Sequence, residues 1–146
     1  MDSNIDSKVD VIFSLPKSII DFMFSKKRDI FVKYTAHDYT KKSKLRLGLG
    51  SKLYFYQSDS KQLVVGEAII KKIEFLLMEE VLNRYYRRII MSVEQFKQYS
   101  KKREYKRALV LKLETLIRYK RFKKTLSPVN MGGYYITKQN EQKVFK

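Results

Sequence analysis

The sequence predicts a single α+β domain, a small β-barrel of five or six strands decorated by about three short helices. Three observations carry that expectation. A chain of 146 residues has the length of one domain. Apolar residues alternate with polar ones over several short runs, which is the period of half-buried strands. Helical spacing interrupts these runs at only two places, the pattern of a partly closed barrel rather than of strand–helix repeats. With 44% hydrophobic residues the chain can fill a core, and two prolines with five glycines leave no long flexible linker.

Taken in order, residues 1–8 are expected to be a flexible N-terminus, residues 9–137 the domain and residues 138–146 a polar C-terminal tail that frays. Residues 9–14, VDVIFS, alternate into a first strand. Pro16 then suits the first turn of a helix over 17–24, which places Ile19, Ile20, Met23 and Phe24 on one face. The basic turn Ser25, Lys26, Lys27, Arg28 ends it, and residues 30–34 form a second strand. Residues 35–43 are polar and read as a loop, and Gly48 and Gly50 punctuate the approach to a strand over 52–57. A turn at Ser58, Asp59 and Ser60 leads to residues 63–75, long for one strand, so that Gly66 marks a bulge or bend.

Leu77, Val81 and Leu82 recur at helical intervals over 76–88. Ser92 followed by Gln95 makes a capping box that starts a helix running to about Ser100. ALVLKLE, residues 108–114, alternates as a strand, and a short last strand over 134–137 follows the turn Asn130, Met131, Gly132, Gly133.

Charge narrows the function. Thirty-two Lys and Arg against fifteen Asp and Glu leave a net charge of +17 and a pI near 9.9, the balance of a protein that meets a polyanion. Residues 84–124 hold fifteen basic residues against Glu94, Glu104 and Glu114, interleaved with Tyr85, Tyr86, Tyr99, Tyr105 and Tyr119. A solvated face is the bland account of such a run. Its asymmetry and its tyrosines favour a nucleic-acid surface, in which cations neutralise phosphates and rings stack on unpaired bases. The expected contacts are Lys17, Lys27, Arg84, Arg87, Arg88, Lys101, Lys102, Arg103, Lys106, Arg107, Arg118, Tyr119, Lys120 and Arg121.

Several classes drop out. Without cysteine there is no disulfide framework, thiolate metal site or Cys nucleophile, and one histidine, His37, makes no multi-His zinc site. No metal or other cofactor is expected. No GxSxG, P-loop or GxGxxG occurs. The N-terminus has neither the charged start nor the apolar core of a signal peptide, and no apolar run approaches the ~20 residues of a membrane span. A cytoplasmic protein, monomeric or weakly self-associating, is the expectation. Glu67, inside an otherwise apolar strand, points to solvent or finds a partner; the sharper reading pairs it with Lys33 in a cleft.

In sequence order, VIFSLPK, RDIFVKYT, LYFYQS, VVGEAIIKKI, MSVEQFKQY and VNMGGYYI resemble segments of an archaeal family of PUA-like proteins related to the ASCH domain, over about residues 11–136. The residues that match are Pro16 and Lys17, Lys33, Gly66 and Glu67, and Gly132 and Gly133. The resemblance implies a PUA-like, ASCH-type β-barrel with a cleft for RNA or a nucleobase. Some ASCH relatives are ribonucleases and others amidohydrolases acting on acetylated cytidine. Of the ASCH pattern, the lysine falls on Lys27 and the strand arginine on Lys33. The catalytic threonine of the amidohydrolases falls on Ile30, which lacks a hydroxyl.

The reading is therefore an RNA-binding domain, RNA being favoured over DNA. The basic region supplies affinity, and a cleft near Lys17, Lys33, Tyr56 and Glu67 supplies selectivity. A metal-independent ribonuclease using Lys33, Tyr56 and Glu67 is the enzymatic alternative, with lysine stabilising the phosphorane and carboxylate or tyrosine moving the 2′-hydroxyl proton. An accessory protein of a ribonucleoprotein is the third, and it predicts the same charge without an open cleft.

Overall fold

The computed structural model describes residues 8–35, 46–129, 133–137 and 140–145, apart from the side chains of residues 8, 46 and 134. His37, Asn130, Met131 and Gly132 lie outside them. In chain order the elements are β1 (Lys8–Leu15), α1 (Lys17–Ser25), β2 (Ile30–Lys33), β3 (Arg46–Leu47), β4 (Lys52–Gln57), β5 (Leu63–Leu76), α2 (Met78–Tyr85), α3 (Val93–Ser100), β6 (Ala108–Lys124), β7 (Tyr134–Ile136) and α4 (Glu141–Val144). The strands form one mixed sheet in the order β2-β6-β5-β4-β1-β3, with β7 also on β1. β1 runs parallel to β3 and β4 and antiparallel to β7. The other pairings, β2 with β6, β4 with β5 and β5 with β6, are antiparallel.

The sheet curls without closing. Phe13 of β1 stacks on Phe31 of β2 with ring centroids 5.3 Å apart, although no ladder joins the two strands among the described residues. Both rings are fully buried, in a core shared with Leu53, Phe55, Ile70 and Leu111 from the intervening strands. A smaller cluster on the other face gathers Ile12, Tyr54, Tyr56, Val64, Val129, Ile136 and Val144. The α+β barrel-like fold thus matches the sequence reading, with an open seam between β1 and β2.

The bend expected at Gly66 is present. Register shifts interrupt β5 against β4 between Phe55 and Tyr56, and against β6 between Val64 and Gly66. A Cβ on Gly66 would stand 2.6 Å from the carbonyl oxygen of Ile117 and 3.0 Å from the Phe24 ring. Glycine is what lets α1 and the β6 backbone approach the bend together. Gly133, at φ +68, likewise has no room for a Cβ against the Ile12 carbonyl oxygen and the Phe13 ring.

The capping box of α3 forms as expected: Gln95 N–H donates to Ser92 Oγ at 3.1 Å, and Ser92 N–H to Gln95 Oε1 at 3.0 Å. Three elements depart from the sequence reading. The helix expected over 76–88 is shorter, because Leu76 still pairs with Ala108 in the sheet and Leu77 N–H donates to Glu80 Oε1 as the helix begins. The strand expected to stop at 114 continues to Lys124, pairing with β5 as far as Leu63. Beyond Lys112 it has no β2 neighbour, and after the buried Leu113 its side chains are exposed apart from the part-buried Leu116 and Tyr119, so the strand carries no regular apolar alternation. The stretch read as a fraying tail holds α4, whose Val144 is buried and whose Phe145 ring lies 5.1 Å from Tyr54.

Gly66→Ala is expected to lower stability by about 1–3 kcal/mol, the usual cost of forcing atoms into a packed site. The obstruction is backbone, which cannot swing away. A denaturant midpoint unchanged from the wild type would show that the bend does not need glycine.

Candidate nucleic-acid interface

A hollow lies at the open seam. β1 and β2 do not pair with each other, and residues of both, together with the start of α1 and one side of α3, line it. The resulting cleft has a volume of about 360 Å³, with Ser14 and Leu15 from β1, Ile19 from α1, Lys33 from β2, and Gln98 and Tyr99 from α3 among its lining. Met91 and Gln95 complete the α3 side.

Tyr34 fixes α3 over the gap. Its N–H donates to Tyr99 Oη at 2.8 Å, its hydroxyl bonds Ser100 Oγ at 2.8 Å, and its ring stacks on Phe96. Burial pushes the Tyr99 hydroxyl up, while the bond from Tyr34 N–H acts the other way.

Lys33 is the unusual group. Only 8% exposed, it points its ammonium at the Phe13 ring, 5.5 Å from the centroid. Among the described residues no carboxylate pairs with it. Burial lowers its pKa from the ordinary lysine value. A buried cation with no anion is costly. One that lines an open cleft is a group held ready for an electron-rich ligand.

The structure does not bring the expected cleft residues together. Lys33 does not meet Glu67. Among the described strands β2 pairs with β6, and its Ile30 also bridges Ile89, whereas Glu67 lies on β5 opposite Tyr54 and Ile117. There Glu67 accepts from Tyr119 Oη at 2.6 Å and meets Lys52 Nζ at 3.7 Å. Burial and this carboxylate raise the Tyr119 hydroxyl, and burial foremost pushes Tyr54 up to about 12. Lys17 turns to Asp21 at 2.7 Å. Tyr56 lines a second hollow beside the first, together with Ser14, Ser58, Lys61 and Pro128.

The basic stretch divides into paired and unpaired cations. Arg88 binds Asp29 through two hydrogen bonds, Arg84 binds Glu74, Arg107 binds Glu80, and Arg118 binds Asp21. These four mainly tie elements of the fold. Arg87 is exposed beside the Tyr86 ring, and Lys27 closes α1 at φ 54. Lys101, Lys102, Lys106, Lys120 and Arg121 are exposed and have no carboxylate partner among the described residues. Lys120 and Arg121 sit on the part of β6 whose outer edge is unpaired, where charge also discourages strand addition.

Residues 101–106 follow the end of α3, and Arg103 ties this segment to the cleft residue Tyr99, resting over the Tyr34 and Tyr99 rings and donating to the Tyr99 carbonyl oxygen at 2.8 Å. Tyr105, 77% exposed, stands in the same segment. The cleft thus has apolar walls, the side chain of Lys33 and carboxamides from Gln95 and Gln98, with a basic segment next in sequence to its α3 side.

Sequence reasoning named Lys33 and the basic segment but missed Ser14, Met91, Gln95 and Gln98 as lining. Gln95 was legible only as a cap, a role that occupies its oxygen and leaves its amide nitrogen for the cleft. Ser14 carried a signal, a polar residue at a buried position of a strand.

The fold is similar to that of ASCH from Zymomonas mobilis, with a TM-score of 0.67 at 16% identity, covering 94% of this chain and 93% of that one. Two point mutants of the Zymomonas protein match as well, at TM-scores of 0.66 and 0.57 and identities of 15% and 16%. The first match covers 94% of this chain and 95% of the other, and the second 86% and 75%. Residues 8–138 match the family described as Domain of unknown function (DUF365), and the chain belongs to that family. No match emerges among curated proteins. No described helix is long and apolar enough to cross a membrane, and no group of three or more potential metal-ligating His, Cys, Asp or Glu occurs among the described residues.

The charge on Lys33 sets a testable pH dependence. Its folded-state pKa lies below the unfolded value, so between the two the unfolded chain binds more protons and this group's contribution to stability rises with pH. Lys33→Met should be more stable than wild type at neutral pH, and that advantage should shrink as pH rises towards the ordinary lysine value of 10.5. Denaturant titrations of both proteins at pH 7 and pH 10 check it. A constant difference would mean that Lys33 is not a strained cation.

Proposed function

We infer that this protein is an RNA-binding domain of PUA-like type that takes an unpaired base into the seam cleft and holds the flanking backbone on the basic segment of residues 101–106. The observation that carries this reading is Lys33, a largely buried lysine with no carboxylate partner among the described residues, lining an apolar cleft. A nucleobase has flat apolar faces suited to Ile19, Met91 and Val32, which line that cleft. Its carbonyl and amino edges suit the Lys33 ammonium and the Gln95 and Gln98 carboxamides. Phosphates would meet Lys101, Lys102 and Lys106, and the exposed Tyr105 ring can stack on a neighbouring base.

RNA is favoured because single-stranded loops and ends offer splayed bases that a duplex does not. The open cleft supports this reading over that of an accessory protein which only docks. The ribonuclease alternative loses support, since Glu67 is engaged by Tyr119 and Lys52 and makes no pair with Lys33.

Two measurements test the proposal. Affinity for single-stranded RNA should fall with salt by about 0.7 log units per log unit of salt for each phosphate neutralised. Lys101→Glu, Lys102→Glu and Lys106→Glu together should weaken binding at least about tenfold and lower that slope by about 2 if each lysine meets one phosphate. The second measurement uses Lys33→Met, which should lose affinity for single strands more than for duplex. Anisotropy titrations at several salt concentrations read both. Binding indifferent to salt and to the substitutions of Lys101, Lys102 and Lys106 would overturn the proposal.

A further inference from the structure

The second hollow, next to the Lys33 cleft, has a chemistry of its own. It is about 680 Å³ and sits between the β4–β5 turn and the segment around Pro128. Ser14, 2% exposed, contributes to the lining of both hollows at the C-terminal end of β1. This strand end is held in place: β1 pairs with β4 through Ser14–Tyr56 and Leu15–Gln57, and Ser58 N–H donates to the Leu15 carbonyl oxygen at 2.9 Å.

The two chambers differ in character. The first is walled by apolar side chains around one ammonium. The second presents the Tyr56 phenol, the Ser58 hydroxyl and the Lys61 ammonium, none of which bonds another described side chain, and Ser14 adds a hydroxyl common to both linings. Ser60 and Gln62, by contrast, are occupied in holding the turn, Ser60 by Gln57 and Leu63, and Gln62 by Thr125. An exposed lysine beside unspent hydroxyls is a donor set for phosphate and sugar oxygens, whereas the first chamber suits a flat ring. Both volumes fall in the range of about 300–1,000 Å³ usual for small-ligand sites.

Resting on the RNA-binding reading, we propose that the two hollows form one groove for two successive nucleotides. The base of one enters the Lys33 cleft, and the phosphate that joins it to the next lies against Tyr56, Ser58 and Lys61. Ser14, shared by the two linings, faces the sugar of the inserted nucleotide. The site thereby reads a step in a strand, and an isolated nucleoside fills only half of it.

Calorimetry compares the four nucleosides with the corresponding homodimeric dinucleoside monophosphates, using wild-type protein and a Tyr56→Phe, Ser58→Ala, Lys61→Ala variant. Wild type should bind the best dinucleotide at least about tenfold more tightly than its nucleoside, as expected for a charge-assisted contact to the phosphate. The variant should lose that gain while binding the nucleoside as wild type does. If the triple variant does not fold, Lys61→Ala alone, at an exposed position, should remove most of the gain. Equal affinities in wild type, or a gain that survives these substitutions, would overturn the two-nucleotide groove. An eight-residue single-stranded RNA measured alongside separates the two readings. If it binds with salt dependence while the dinucleotide gain is absent, only the groove fails. If it does not bind at all, the RNA-binding reading fails with it.

Discussion

The structure depends on a sheet that curls far enough for β1 and β2 to touch through side chains but not through hydrogen bonds. Phe13 on Phe31 brings β1 and β2 face to face across the core, and there the backbone ladder stops. Two strand ends left unpaired need cover, because exposed N–H and C=O groups invite other chains and buried ones must be satisfied. α3 provides that cover through Tyr34, whose backbone N–H finds the Tyr99 hydroxyl rather than a strand. The cleft is the space left where a helix stands in for a ladder. Lys33 is buried because it ends β2 at this point.

That origin explains what was and was not legible in the sequence. Strands β1, β4 and β5, the capping box at Ser92 and the bend at Gly66 are local facts, fixed by alternation, by a three-residue spacing or by one missing side chain. The course of β6 past Glu114 was hidden because a mostly exposed strand, packed only through Leu116 and Tyr119, carries no alternation. Val144 and Phe145 gave no periodic signal in a stretch too short to show one. The pairing of Lys33 with Glu67 failed for a different reason. Which strands neighbour one another is a property of sheet order, and β6 lies between β2 and β5.

Charge was legible in amount and not in use. Fifteen cations between residues 84 and 124 read as one surface, yet Arg84, Arg88, Arg107 and Arg118 are engaged by Glu74, Asp29, Glu80 and Asp21. Arginine suits that task, since its planar fork meets a carboxylate through two bonds, as Arg88 does with Asp29. The cations left without partners around the cleft are mostly lysines, strongly hydrated and flexible, which hold phosphates without fixing their geometry. The split by residue type follows the split between fold and surface.

The position of β1 in the sheet has a consequence for how the chain reaches this shape. β1 is the earliest described strand, yet it pairs in parallel with β4 and antiparallel with β7, so Asp10 faces Ile136 across the sequence. Such distant pairings make loop closure costly before any contact rewards it, and domains rich in them fold in milliseconds to seconds rather than microseconds. During synthesis β1 is made before β4, and its pairing with β7 waits until residue 136 has been added. The apolar stretch VIFSL thus exists for most of the chain's synthesis without the last strand that flanks it.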